Sequence, residues 1–152
     1  MQKITVVPLG PGAVEYLTLG GLNALAEAKT VILRTGRHGA CGELSKRGIS
    51  YTTLDALYED CGDFDALNAR AAQTLWEAAV SGPVAYGVAD PATDETVRAL
   101  FQTAGPKRQV SVLAGVPLSA SCLCALNNAP IGQPLRILPA SAHGQAVLVP
   151  SE

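Results

Sequence analysis

Ile4-Thr5-Val6-Val7-Pro8-Leu9-Gly10-Pro11-Gly12 is a β-branched apolar run that breaks into proline and glycine. Such a run reads as a short strand buried on both faces, and the prolines stop strand or helix from continuing through the loop. Downstream, Thr18 is placed to cap a helix carrying Leu22, Leu25 and Ala26 on one face, and Thr30-Val31-Ile32-Leu33 reads as a second strand. The opening is therefore a βαβ unit.

The alternation continues along the chain. Residues 39–47 suit a short helix and Ile49 to Thr53 a weak strand, while Asp55, Glu59, Asp60, Asp63 and Asp65 read as a solvated connection. Phe64, Leu67, Ala71, Leu75 and Ala78 then recur at helical steps until Ser81-Gly82-Pro83 ends the helix. Val84 to Val88 is another buried strand, Thr93 to Ala104 the next helix, Gln109 to Leu113 a fifth strand and Pro117 to Asn127 a small-residue helix. Leu135 to Leu138 and Ala146 to Val149 are two further strand candidates. Regular βα alternation predicts an α/β fold, a mostly parallel sheet flanked by helices on both faces.

Composition narrows the function classes. With 48% apolar and 16% charged residues among 152, the chain is expected to fold as a globular α/β protein. Its net charge of −2 offers no electrostatic grip on a phosphate backbone, so nucleic acid is not expected as a partner. No apolar run approaches the roughly 20 residues that span a bilayer, and the start shows no signal-peptide organisation, so a cytoplasmic location is expected. Cys41, Cys61, Cys122 and Cys124 lack the paired spacing of a zinc site and read as buried free thiols. His38 and His143 lie in no metal or nucleophile motif.

In an open parallel sheet, ligands gather beyond the carboxyl ends of the strands. The loop Gly10-Pro11-Gly12 lets a ligand approach the backbone, but it does not complete G-x-G-x-x-G, since Glu15 or Pro8 falls on a required glycine. A dinucleotide or phosphate cradle is thereby disfavoured. After the next buried strand, Ala89-Asp90-Pro91 offers a carboxylate that serves either a ligand or the cap of the following helix. The third loop, Ala114-Gly115-Val116-Pro117-Leu118-Ser119, presents backbone amides and a hydroxyl, or simply starts a helix. Arg34, Thr35, Arg37 and His38 form a compact polar and cationic group that suits an acidic substrate or a solvated turn.

Taken in order, these segments resemble a known family. Val6-Val7-Pro8-Leu9-Gly10-Pro11-Gly12-Ala13-Val14-Glu15-Tyr16-Leu17-Thr18 resembles the opening of the tetrapyrrole (corrin/porphyrin) methylases, a strand followed by G-x-G-P-G-D-P-x-x-L-T. Leu33 to His38, Leu57 to Asp60 and Phe64-Asp65 are similar to methylase domains fused to MazG-type nucleotide pyrophosphohydrolases. Tyr86 to Pro91 stands where that family has its G-D-P or G-x-P loop, and Ala114 to Ser119 where it has P-G-V-S-S. The chain departs from the pattern at Pro8, Ala13, Ala89 and Ala114, where glycine, aspartate, glycine and proline are usual.

The resemblance, which covers residues 3 to about 138, implies an S-adenosylmethionine-dependent methyltransferase. The implied cofactor residues are Gly10, Pro11, Gly12, Val88, Ala89, Asp90, Gly115, Val116 and Ser119, and Arg34, Arg37 and His38 are implied for a small-molecule acceptor, a tetrapyrrole in the family's own case. It further implies a methylase-like N-terminal domain over 1–114 and the start of a second, incomplete subdomain over 115–152. One wall of the cofactor cleft is then expected to be missing, with weak or absent binding of S-adenosylmethionine by this chain alone and self-association into a homo-oligomer. Either a truncated piece of a longer protein or a natural remnant that lost methyl transfer accounts for this. The competing reading is a non-catalytic α/β regulatory or dimerisation module derived from the same family.

Overall fold

Neighbouring apolar residues of the central strands are divided between two layers of helix. The structure, a computed structural model, describes residues 1–60 and 63–125. They fall into two units, Met1–Leu118 and a second beginning at Ser119. The first holds five parallel strands, β1 (Gln2–Pro8), β2 (Thr30–Leu33), β3 (Thr52–Thr53), β4 (Val84–Val88) and β5 (Arg108–Val112), in the order β3-β2-β4-β1-β5. Helices α1 (Leu19–Glu27), α2 (Ala40–Lys46), α3 (Asp55–Asp60), α4 (Phe64–Ala78) and α5 (Glu95–Gln102) connect them, and α6 (Leu118–Ala125) follows β5.

On one face Ile4, Val6, Ile32, Val84, Tyr86 and Val88 pack with Ala71, Leu75 and Trp76 of α4 and Val97 and Leu100 of α5. On the other, Val7, Leu9, Val31, Leu33 and Ala85 pack with Leu25 of α1 and Ala40, Cys41 and Leu44 of α2. Burial on both faces is why β1, β2 and β4 are continuous apolar runs instead of alternating ones. The register places Val6 opposite both Tyr86 and Val112, so β1 and β4 lie inside the sheet and β5 at its edge.

Several boundaries follow from side-chain caps. Thr18 accepts from the Gly21 amide (3.0 Å) and starts α1 as expected. The acidic stretch is not an open connection: residues 55–60 form α3, and Asp63 caps α4 by accepting from the Asp65 and Ala66 amides. The expected strand over Ile49 to Thr53 shrinks to Thr52–Thr53 because the Ile49 amide closes the end of α2 on the Leu44 carbonyl, with Gly48 at φ +72°. Helix α5 starts later than Thr93 because Asp94, not Asp90, is its cap, accepting from the Val97 amide at 2.9 Å. Of the described cysteines Cys41 is buried, whereas Cys122 and Cys124 are exposed on α6, contrary to the expectation of burial. Cys61, His143, the strand candidates beyond Ala125 and the end of the helix at Asn127 lie outside the described residues.

Candidate functional site

Because all five strands run the same way, the loops after β2, β4, β1 and β5 emerge side by side along one edge of the sheet. β1 leads to α1 on one face, while its neighbour β4 leads to α5 on the other. Two adjacent strands whose connections depart to opposite faces leave a crevice between their carboxyl ends. The three loops singled out in the sequence, together with the Arg34–His38 segment, meet there.

The β1 loop is held in place by backbone contacts on its floor. The Leu9 amide donates to the Val88 carbonyl (2.7 Å) and the Gly10 amide to the Ala89 carbonyl (3.1 Å), carrying the ladder past both strands. Gly10 then turns at φ +87°, and a Cβ there would strike the Cβ of Tyr16. Pro11 is half-buried and Gly12 exposed.

Asp90 links the second loop to the third. Its carboxylate, 8% exposed, accepts from the Ala92 amide through Oδ1 (3.0 Å) and from the Leu118 amide through Oδ2 (2.8 Å). The second of these bonds spans 28 residues and ties the β4 loop to the β5 loop. Gly115 packs its bare Cα against the ring of Pro8, which ends β1 between them. Between the two loops lies a groove of about 410 Å³ walled by Pro8, Pro91, Val97, Phe101, Leu113 and Val116. Asp90 and Arg98 are the charged side chains along it among the described residues. Val88 is buried at the strand end, Ala89 is exposed, and Ser119 lies in the first turn of α6, in the second unit.

The cationic segment after β2 has divided roles. Arg34 turns inward, pairing with Asp94 (3.1 Å) and donating to the Thr96 hydroxyl (2.8 Å), which in turn donates to the Asn68 side chain (2.9 Å). Burial raises the Asp94 carboxyl above its ordinary value, with the Arg34 charge pulling the other way. The Tyr86 hydroxyl is buried beside this group without a hydrogen bond of good geometry, and burial followed by the Asp94 charge pushes it well above the usual phenol range. Arg37 is exposed, and the nearby Asp55 carboxyl is held low chiefly by the Gly36 amide, which donates to it at 2.8 Å. His38 spends both ring nitrogens inside the protein. The Ala40 amide donates to Nδ1 (3.1 Å), so Nε2 carries the proton and donates to the Gly10 carbonyl (2.9 Å). Sequence reasoning missed Asn68, Asp94 and Thr96, whose only local signal is that Asp94 precedes an amphipathic helix.

A family model for tetrapyrrole (corrin/porphyrin) methylases matches residues 3–139. The chain belongs to the tetrapyrrole methylase family. It is 38% identical over 86 residues to YabN of Bacillus subtilis (strain 168), an uncharacterized protein, a match covering 57% of this chain and 18% of YabN. A solved structure of a cobalamin-synthesis-related protein (CobF) from Corynebacterium diphtheriae matches with a TM-score of 0.63 at 18% identity, over 88% of this chain and 63% of that one. The uroporphyrin-III-C-methyltransferase of Thermus thermophilus matches with a TM-score of 0.53 at 24% identity, over 83% of this chain and 53% of that one. At these identities the two structures show a shared fold, and the chain spans less than two thirds of each relative. Among the described residues no helix is long and apolar enough to cross a membrane.

Proposed function

We propose that this chain forms the N-terminal wall of an S-adenosylmethionine-dependent methyl-transfer site acting on a small molecule of the tetrapyrrole class. The observation that carries the reading is the groove between the Asp90 and Gly115 loops, at the carboxyl edge of a methylase-family sheet. Its volume of about 410 Å³ lies in the range of small-molecule sites, and its largely apolar lining, with Asp90 and Arg98 as the charged side chains, suits a largely apolar ligand that carries polar groups. S-adenosylmethionine supplies a methyl group activated by its sulfonium. The chain supplies position: the backbone of Val88, Ala89 and Asp90 on one side, that of Gly115 and Val116 on the other, and Gly10, Pro11 and Gly12 against the cofactor where the acceptor meets it. Holding two reactants in line accounts for most of the acceleration such a transfer needs. Of the three residues implied for the acceptor, Arg37 is the exposed one and the one we assign to contact it, with Arg34 and His38 shaping the loops.

One wall excludes water poorly and forfeits contact area and preorganisation, so the chain alone binds the cofactor weakly. Calorimetry with S-adenosylhomocysteine tests this: weak or undetectable binding by the chain and tight binding by a longer form carrying a second α/β half is the expected pair of results. Tight one-to-one binding by the chain alone would overturn the one-wall reading. No binding in either form would remove the cofactor reading altogether. Kinship with MazG-linked methylase domains is part of the proposal and would be supported if the gene's reading frame runs on into a pyrophosphohydrolase.

The second reading, a dimerisation module, is favoured by edge strand β5, where Val112 and neighbouring Phe101 are 43% and 52% exposed. An unpaired edge strand with an exposed apolar side chain invites pairing with another chain.

A further inference from the structure

We propose that His38 is a positioning residue that keeps the Gly10-Pro11-Gly12 loop in one preformed shape at the mouth of the cleft. The role in a cleft rests on the methyl-transfer reading; the clamp itself rests on geometry alone. Gly10 and Gly12 both sit at positive φ, +87° and +111°, so this loop has more conformational freedom to lose than a turn without glycine. Contacts from outside such a loop that fix its carbonyls make it a more rigid surface.

Two neighbouring residues of the β2–α2 connection do so. His38 Nε2 donates to the Gly10 carbonyl at 2.9 Å, a carbonyl that also accepts from the Gly12 amide at 2.9 Å. Gly39 brings its bare Cα so close to the Gly12 carbonyl that any Cβ would collide with the oxygen. One residue reaches the first glycine and the next lets the second glycine approach.

The clamp is itself anchored at both ends. The Arg34 amide donates to the Gly87 carbonyl (2.9 Å) and its guanidinium pairs with Asp94, so the segment starts fixed to β4 and α5. At the far end the Ala40 amide holds His38 Nδ1, which orients the ring and selects the tautomer with hydrogen on Nε2. The residues that read in sequence as a grip for an acidic substrate thus brace the first loop against the second.

The two halves of the imidazole are separable by substitution. His38→Gln retains an amide donor near Nε2 and loses the acceptor near Nδ1, whereas His38→Asn retains the acceptor near Nδ1 and loses the reach to Gly10. Hydrogen exchange of the apo chain is the primary readout. A hydrogen bond of this kind contributes about 0.5–1.5 kcal/mol, so His38→Asn is expected to speed exchange at the Gly12 and Tyr16 amides roughly three- to tenfold. The same variant should leave the exchange of α2 unchanged, and His38→Gln should leave the loop near wild type. If the ring serves only the start of α2, the pattern reverses, with His38→Gln loosening α2 and His38→Asn behaving as wild type; that reversal, or equal loop exchange in all three proteins, overturns the proposal. Should His38→Asn fail to fold, Gly39→Ala addresses the same clamp from the neighbouring residue, and loop exchange at the wild-type rate in that variant also overturns it. S-adenosylhomocysteine calorimetry on a longer form carrying a second α/β half keeps the two ideas apart: no binding there would sink the cofactor reading while hydrogen exchange of the chain still judges His38.

Discussion

Asp90→Asn is the most informative single change, because two loops hang on that carboxylate. The wild-type side chain is nearly buried and accepts two backbone amides, Ala92 at 3.0 Å and Leu118 at 2.8 Å. Asparagine keeps one carbonyl oxygen and turns an NH2 toward the other amide, so one bond is lost and two donors face each other. A hydrogen bond to a charged acceptor contributes about 1.5–3 kcal/mol. The expected cost is therefore about 2 kcal/mol, or a fall in Tm of roughly 4–8 °C for a chain of this size. Thermal and urea denaturation measure the cost, and hydrogen exchange at Leu118 locates it. The strap argument fails if stability stays within about 0.5 kcal/mol of wild type, the ordinary scatter of surface substitutions, with Leu118 exchange unchanged. Ligand binding separates the remaining roles. In the longer, tight-binding form, affinity for S-adenosylhomocysteine that falls in step with stability indicates a strap, whereas affinity lost at constant stability indicates direct contact with the ligand.

Arg34→Met should destabilise by about 2–3 kcal/mol, less than a fully buried pair would lose because Arg34 is 26% exposed while Asp94 is 6% exposed. Since Asp94 is already raised above 3.8 when folded, it favours the folded state only below that value and loses the advantage as pH climbs to its raised value. Removing Arg34 raises it further, so the deficit read from urea midpoints should be smallest near pH 4 and grow toward pH 7; a deficit flat with pH would refute the pairing argument. Both glycines sit at a positive φ that costs an alanine about 1–3 kcal/mol, so Gly12→Ala, with open space around it, should cost only that backbone term, while Gly10→Ala adds a collision at Tyr16 and should cost more. Equal unfolding midpoints for the two would contradict this. Sedimentation should show concentration-dependent self-association that Val112→Lys weakens, since a charge on the edge strand opposes pairing; a clean monomer at all micromolar concentrations would count against it.

Much of the fold was legible because its signals are local. The continuous apolar runs of β1, β2 and β4 declare strands covered on both sides, and Thr18 and the Ser81-Gly82-Pro83 stop mark helix ends by their own backbone chemistry. Loop order also carried the family, because Gly10-Pro11-Gly12, Asp90-Pro91 and Gly115-Val116 follow their strands wherever those strands lie in the sheet. The duties of the polar side chains were not legible. Asp90 looked like a helix cap or a ligand group, yet its partner amide is 28 residues away. Arg34 and His38 looked like a paired grip, yet one is drawn to Asp94 and the other to the Gly10 carbonyl. A cap or a strand depends on residues within a turn or two, so sequence alone determined those elements. Which carboxylate meets which cation, and which nitrogen meets which carbonyl, depends on the order β3-β2-β4-β1-β5 bringing distant loops to one edge, and only the tertiary structure decided that.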